Sequence, residues 1–195
     1  MKKVLFIVSI LFVAVVSTAC INNFAVQDLN AKAKAYMEKG DYQQAIERLK
    51  SGIDLDPSVF ETHYNLAVAY TMAEDYVNAV DEYKKVIEMK PDNADSYYSL
   101  ATAENNLAVD IERKAVRAMS DGVLYVPNAD KIEEIQEEEL TDKERQLIRE
   151  FYSSALENYE KYLELNPNAE DKKDVEELMQ KINDKLNSDE ANNKQ

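Results

Sequence analysis

One histidine and one cysteine, His63 and Cys20, are all the imidazole and thiol this chain offers, and 43 positions part them. A structural zinc site takes four Cys or His ligands and a catalytic one takes three protein ligands, so this pair builds neither. No glycine-rich phosphate loop and no nucleophile motif occurs. Carboxylates are plentiful, with Glu133, Glu134, Glu137, Glu138 and Glu139 close together. A calcium loop spaces its acids about a turn-forming glycine. This run has none, and it reads as the solvated face of an acidic helix. Paired carboxylates also cleave glycosides, but that chemistry needs a deep cleft with two convergent acids. The sequence therefore calls for no catalytic residue, no metal and no cofactor. His63 falls in a helical apolar pattern and is expected to be structural.

Cys20 is the exception, because its position gives it a use. Residues 1–20 read MKKVLFIVSILFVAVVSTAC, with two lysines, an uncharged run and Ser17-Thr18-Ala19 before the cysteine. That is the pattern of a secretory signal over residues 1–19. An exported chain with a single thiol forms no internal disulfide. The segment resembles a bacterial lipoprotein signal, which implies that Cys20 is acylated, as with palmitate, and becomes the new N-terminus. Ser17 departs from the leucine usual at that place. Two other readings stand beside this one: an ordinary signal peptidase cutting the same bond, or retention of Val4–Ile21 as a short membrane anchor. Residues 20–25 would be the tether.

Net charge is −15, and two charges more negative once Lys2 and Lys3 leave. Such a surface repels nucleic acid and anionic headgroups. The expected contact with a membrane is therefore through an N-terminal lipid, and no nucleic-acid partner is expected.

The elements behind these residues repeat. Pro57 and Pro91 stand 34 residues apart. Ala45 and Ala79 lie twelve residues before them, Tyr36 and Tyr70 twenty-one, and Leu49 and Tyr83 eight. Segments 27–38, 42–55, 60–72 and 76–89 carry apolar residues at helical spacing. Asp41 with Gln44, and Asn93, suit helix N-termini. Each proline disfavours helix in the residue before it. Ala33, Ala67 and Ala101, and Ala45, Ala79 and Ala155, are small where paired helices must approach. Few glycines and prolines and no alternating strand pattern, Val123–Val126 excepted, point to an all-α solenoid.

The 34-residue pattern resembles the tetratricopeptide repeat (TPR). Residues 60–93 carry it most fully, through His63, Leu66-Ala67, Tyr70, Ala79, Tyr83 and Pro91. Residues 26–59 follow with Leu29, Ala33, Tyr36, Gly40, Ala45, Leu49 and Pro57, although Lys32 stands where leucine is usual. A third repeat starts with Tyr97, Leu100 and Ala101, then departs at Glu104, where tyrosine is usual. Its second half resumes, 42 residues late, with Ala155, Tyr159, Tyr162 and Pro167. Residues 94–167 are thus read as one repeat holding an insertion at about 108–148.

The apolar stripe from Leu100 to Met119 predicts one long helix over 94–119, ended by Ser120-Asp121-Gly122. Lys131–Leu140 is expected to be helical. Thr141 and Glu144 form a capping box that opens a helix to Leu165. The insertion is therefore expected to be a projecting helical hairpin, with Val123, Leu124, Tyr125 and Val126 as an arm contact for a partner or a second copy. An insertion that merely packs on itself stays equally open. Residues 168–187 resemble the capping helix of such arrays, and 188–195 is expected to fray.

The resemblance implies that first helices line a binding surface. Carried over by position, it offers Gln27, Asn30, Lys34 and Met37, then Glu61, Tyr64, Val68, Thr71 and Met72, then Asp95, Tyr98, Thr102 and Asn105. Tyr64, Val68, Met72 and Tyr98 would form an apolar, aromatic strip suited to a protein or peptide partner. Packing between repeats is the plainer use of the two tyrosines. Some relatives grip a C-terminal carboxylate. Asn65 and Lys34 suit that role, but Asp95 and Ser99 stand where basic residues are wanted. The resulting expectation is a non-enzymatic, lipid-anchored scaffold of a bacterial envelope. The alternatives are a subunit that forms homo-oligomers through the hairpin and, more remotely, a glycan-cleaving enzyme.

Overall fold

The computed structural model of the chain describes residues 22–127 and 139–192. The signal segment, Cys20, and residues 131–138 of the helix expected over Lys131–Leu140, with Glu133, Glu134, Glu137 and Glu138, lie outside them, while residues 139 and 140 are not helical. The described residues form seven helices and one two-stranded ribbon. They divide into two compact units, one up to Glu74 and one from Asp75.

The first unit comprises α1 (residues 22–37), α2 (Tyr42–Leu55) and α3 (Phe60–Met72). Asp41 caps α2, its carboxylate accepting the Gln44 amide at 3.3 Å. Asp56, ahead of Pro57, is extended at φ −152 and ψ 99, as proline requires of its predecessor. The chain leaves α1 through Gly40 at φ 76 and leaves α3 through Glu74, one repeat later, at φ 58. The turn is thus the same, but only Gly40 adopts it without strain. Helices α2 and α3 meet at Gly52, where an added Cβ would lie 3.1 Å from Thr62 Cγ2. The core is Val26, Ala33, Ala45, Ile46, Leu49, Leu66, Ala67, Ala69 and Tyr70. His63 is buried in it, and its Nε2 donates to the Pro57 carbonyl at 2.9 Å. That bond ties the start of α3 to the turn before it, the structural use expected of this histidine.

The second unit holds α4 (Tyr76–Met89), α5 (Ala94–Glu112), strands β1 (Arg117–Ala118) and β2 (Leu124–Tyr125), α6 (Asp142–Leu165) and α7 (Lys172–Asn192). Asp75 caps α4 through Asn78, and Asn93 caps α5 through the Ser96 amide and hydroxyl. Lys90 and Asn166, ahead of Pro91 and Pro167, leave the helical region as Asp56 does. Helices α5 and α6 pack antiparallel along their length. Tyr98 meets Tyr159 and Tyr162, Glu104 meets Ser154 and Asn158, and Glu112 meets Tyr152. Ala79, Ala101 and Ala155 have no exposure, like Ala33, Ala45 and Ala67 in the first unit. Small residues sit where helices approach, as the repeat pattern requires. Val175 and Ile182 bury one face of α7, which runs on through residues 188–192 where fraying was expected.

The long helix expected over 94–119 stops instead at Glu112. Lys114 turns left-handed at φ 61, and the Ala115 and Val116 amides both donate to the Asp110 carbonyl. The remaining stripe becomes an antiparallel ribbon pairing Arg117 with Tyr125 and Ala118 with Leu124. Ser120-Asp121-Gly122 is its turn, not a helix stop, with Gly122 at φ 90. β-branched Val116 and Val123 on either side favour extended backbone. Among the described residues the insertion is therefore no continuous helical hairpin. The ribbon is fixed to α6 by Glu144, the buried capping-box residue, which accepts from Arg117 Nε at 2.5 Å and from the Ala118 amide at 3.1 Å.

Glu104, the break in the repeat pattern, is buried between α5 and α6. Ser154 Oγ donates to one of its oxygens at 2.8 Å and Asn158 Nδ2 to the other at 2.9 Å. Burial pushes the carboxyl above the usual glutamate range against these bonds. A raised carboxyl contributes stability that is full below its unfolded pKa and lost as pH rises through the folded value. Glu104→Gln keeps the shape without the charge. It is expected to melt above the parent at pH 8, with the gap closing towards pH 4. An equal or lower melting temperature at pH 8 contradicts this account of the site.

Candidate functional site

In the first unit, α1 and α3 are joined by a hydrogen-bonded relay of side-chain amides. Asn30 Nδ2 donates to the Val26 carbonyl at 3.0 Å and across to Thr62 Oγ1 at 2.8 Å. Asn30 Oδ1 accepts from Asn65 Nδ2 at 2.9 Å. Thr62 is fully buried, so the relay is anchored in the core. Asn65 uses one N–H in it. Its second N–H and its Oδ1 have no partner among the described residues.

Asn65 and Asn30 line a groove of about 630 Å³, and Asn23 and Gln27 extend the amide lining along α1. Val26, Ala31, Met37 and Val59 supply its apolar parts, and among the described residues Lys34 and Glu61 are its only charges. An amide presents both a donor and an acceptor. A fixed row of amides over an apolar floor therefore matches a peptide backbone, which offers the complementary pair at each residue. Among the described residues, the lining contains no histidine, cysteine or serine that would serve as a nucleophile or base. No group of three or more His, Cys, Asp or Glu among the described residues is arranged to hold a metal ion.

Of the expected binding residues, Lys34 and Met37 lie in this groove with Gln27, Asn30 and Glu61. Tyr64, Val68, Thr71 and Met72 continue along α3 outside its lining. Tyr64 stacks on Phe60 at 6.1 Å, the Thr71 hydroxyl donates to the Ala67 carbonyl, and Met72 is exposed. Tyr98, Thr102 and Asn105 belong to the second unit. There Tyr98 packs edge-on to Tyr159 at 5.7 Å and tilted against Tyr162 at 5.2 Å. Thr102 shares a hydrogen bond with the Tyr159 hydroxyl at 3.1 Å, and Asn105 makes a long contact with Asn106. The Tyr162 phenol donates to Asp171 at 2.6 Å, and that carboxylate, with burial, pushes it up to about 12. The arm residues Val123, Tyr125 and Val126 are exposed on the ribbon, joined by Met119, while Leu124 is half-buried. Asn65 was read only as part of a carboxylate grip. Its role in the relay depends on Asn30, 35 residues away, and nothing in the local sequence signals that pairing.

Comparison with known proteins agrees with this architecture. A TPR repeat family matches residues 33–73, and a tetratricopeptide repeat family matches residues 60–93. Residues 33–93 thus match tetratricopeptide repeats, and the fold is of the all-α, TPR-like solenoid class. Its structure is similar to the first TPR domain of the human RPAP3 protein, at TM-score 0.57 and 19% identity, over 86% of this chain and 96% of that one. It is also similar to the TPR2B domain of yeast Sti1, described as a complex with pHsp70, at TM-score 0.56 and 18% identity, over 83% and 98%. The first TPR of Spaghetti (RPAP3), bound to the HSP90 peptide SRMEEVD, matches at TM-score 0.56 and 19% identity, over 83% and 93%. No curated protein matches the sequence. Among the described residues no helix is long and apolar enough to cross a membrane.

Proposed function

We propose that this chain is a non-enzymatic adaptor of the bacterial cell envelope, tethered to a membrane through lipid on Cys20, whose first unit holds an extended segment of a protein partner. The observation that carries the reading is the relay at Asn65. A core-anchored amide with a free donor and a free acceptor is preorganised for a backbone, and preorganisation lowers the ordering cost of binding. Similar structures, one bound to the HSP90 peptide SRMEEVD and one described as a complex with pHsp70, support a peptide or protein ligand. Asp95 and Ser99 stand where a carboxylate grip would want cations, so the proposal is not for that ligand class.

Asn65→Ala removes the free pair at the groove while leaving the buried apolar core untouched. It is expected to weaken capture of the native partner at least tenfold, with helicity by circular dichroism unchanged. Full capture by a folded Asn65→Ala variant sinks the groove reading. A second reading, assembly of the chain with itself, is favoured by the exposed apolar ribbon at Met119, Val123, Tyr125 and Val126. Light scattering separates the two, since self-assembly requires a mass of two or more chains.

A further inference from the structure

The groove has a charge at each end, and their spacing selects a ligand. Asn30 bonds to both Thr62 and Asn65, so it lies level with that turn of α3. Glu61 sits just before the turn, and Lys34 lies one helical turn beyond Asn30. By the 34-residue repeat, Glu61 is level with Gln27, seven residues before Lys34. At about 1.5 Å rise per residue, the two charges are roughly 10 Å apart along the groove. Both side chains are exposed, and neither has an ion-pair partner among the described residues. Lys32 and Asp28, also on α1, pair with each other at 2.6 Å.

A β-strand puts residues three apart on opposite faces, and residues two or four apart on one face at about 6.6 or 13 Å. Neither spacing fits. A polyproline II segment has three residues per turn and a rise of about 3.1 Å, so residues i and i+3 share a face about 9.3 Å apart. Its backbone makes no internal hydrogen bonds, leaving the two residues between free to meet the Asn65 amide. We infer that the groove selects a polyproline II segment with a basic and an acidic side chain three residues apart, the basic one at Glu61 and the acidic one at Lys34. This inference rests on the peptide-groove reading and adds its specificity. The overall charge of the chain would favour any cationic peptide. The acidic member of the pair is therefore the distinguishing feature.

The test uses the full chain and nine-residue fluorescent peptides, read by anisotropy at 150 mM salt. The lead peptide carries Lys and Glu three positions apart around a Pro-Ala pair. Controls have the same composition with Lys and Glu adjacent, two Lys at the same spacing, or two Gln. The lead is expected to bind about three- to tenfold more tightly than each control, the range that two exposed ion pairs supply even with screening by salt. Lys34→Glu is expected to transfer the preference to the two-Lys peptide, a switch that loss of folding cannot mimic. If the two-Lys peptide binds the parent best, or adjacent charges bind as well as spaced ones, the inference is overturned while the groove stands. If no peptide binds at all, the groove reading falls with it.

Discussion

Glu144→Ala is expected to lower the stability of the second unit by about 3–5 kcal/mol, the range for removing one partner of a buried ion pair. Glu144 has no exposure and serves two structures at once. It accepts from the Thr141 amide at 2.8 Å and hydroxyl at 3.0 Å, closing the capping box at the start of α6. It also accepts from Arg117 Nε and Nη2 and from the Ala118 amide, fixing the ribbon. Alanine takes the acceptor from all these donors together. Burial by itself pushes the carboxyl up, but the bonds from Arg117, Thr141 and Ala118 together outweigh it and hold it below the usual range. A lowered carboxyl gives stability that is full above the unfolded pKa and lost as pH falls through the folded one. The parent is therefore expected to lose stability on acidification below about pH 4, the usual glutamate value, and Glu144→Ala to lose less. Urea unfolding at pH 7 measures the effect, with a midpoint drop above about 1 M expected. A change below about 1 kcal/mol would mean that the ribbon and the cap contribute little to holding α6.

Cys20→Ala is expected to move the whole chain from the membrane to the soluble fraction. The sequence is strongly acidic, with a net charge of −15, and under the proposed export it offers no basic patch to hold the chain against anionic lipid. Anchoring then rests on acyl chains, each buried methylene contributing about 0.8 kcal/mol, and stable attachment takes more than one chain. The parent should incorporate labelled palmitate and the variant none. Membrane retention of Cys20→Ala after the same cleavage contradicts lipidation, and retention with the signal uncleaved favours the anchor reading.

The repeat framework was legible because it is written twice at one period. Asp41 and Asp75 are both caps, and Asp56, Lys90 and Asn166 all yield to the proline that follows. The end of α5 was not legible. Leu107, Ile111, Ala115 and Met119 keep a helical stripe, yet Lys114 turns left-handed and Met119 ends exposed on the ribbon. Local periodicity carries no record of the Arg117–Glu144 pair that rewards the ribbon. Glu104 stood out as a misfit, but its partners Ser154 and Asn158 come from the far side of the insertion. At the groove, Lys34, Met37, Gln27, Asn30 and Glu61 had been offered only by the resemblance to the repeat family, carried over by position, and all five line it. The emphasis on an aromatic strip did not foresee the amide relay, because Tyr98 serves contacts within α5 and α6.

The central claim is that the partner lies against Asn30 and Asn65. Its most direct test is a photo-crosslinking residue placed in the full chain, in intact cells, at Gln27 or Lys34 in the groove and at Val126 on the ribbon. The account predicts that one and the same partner is trapped from positions 27 and 34, and that Asn65→Ala abolishes both adducts. Adducts from position 126 alone, unaffected by Asn65→Ala, would contradict it and move the working surface to the ribbon.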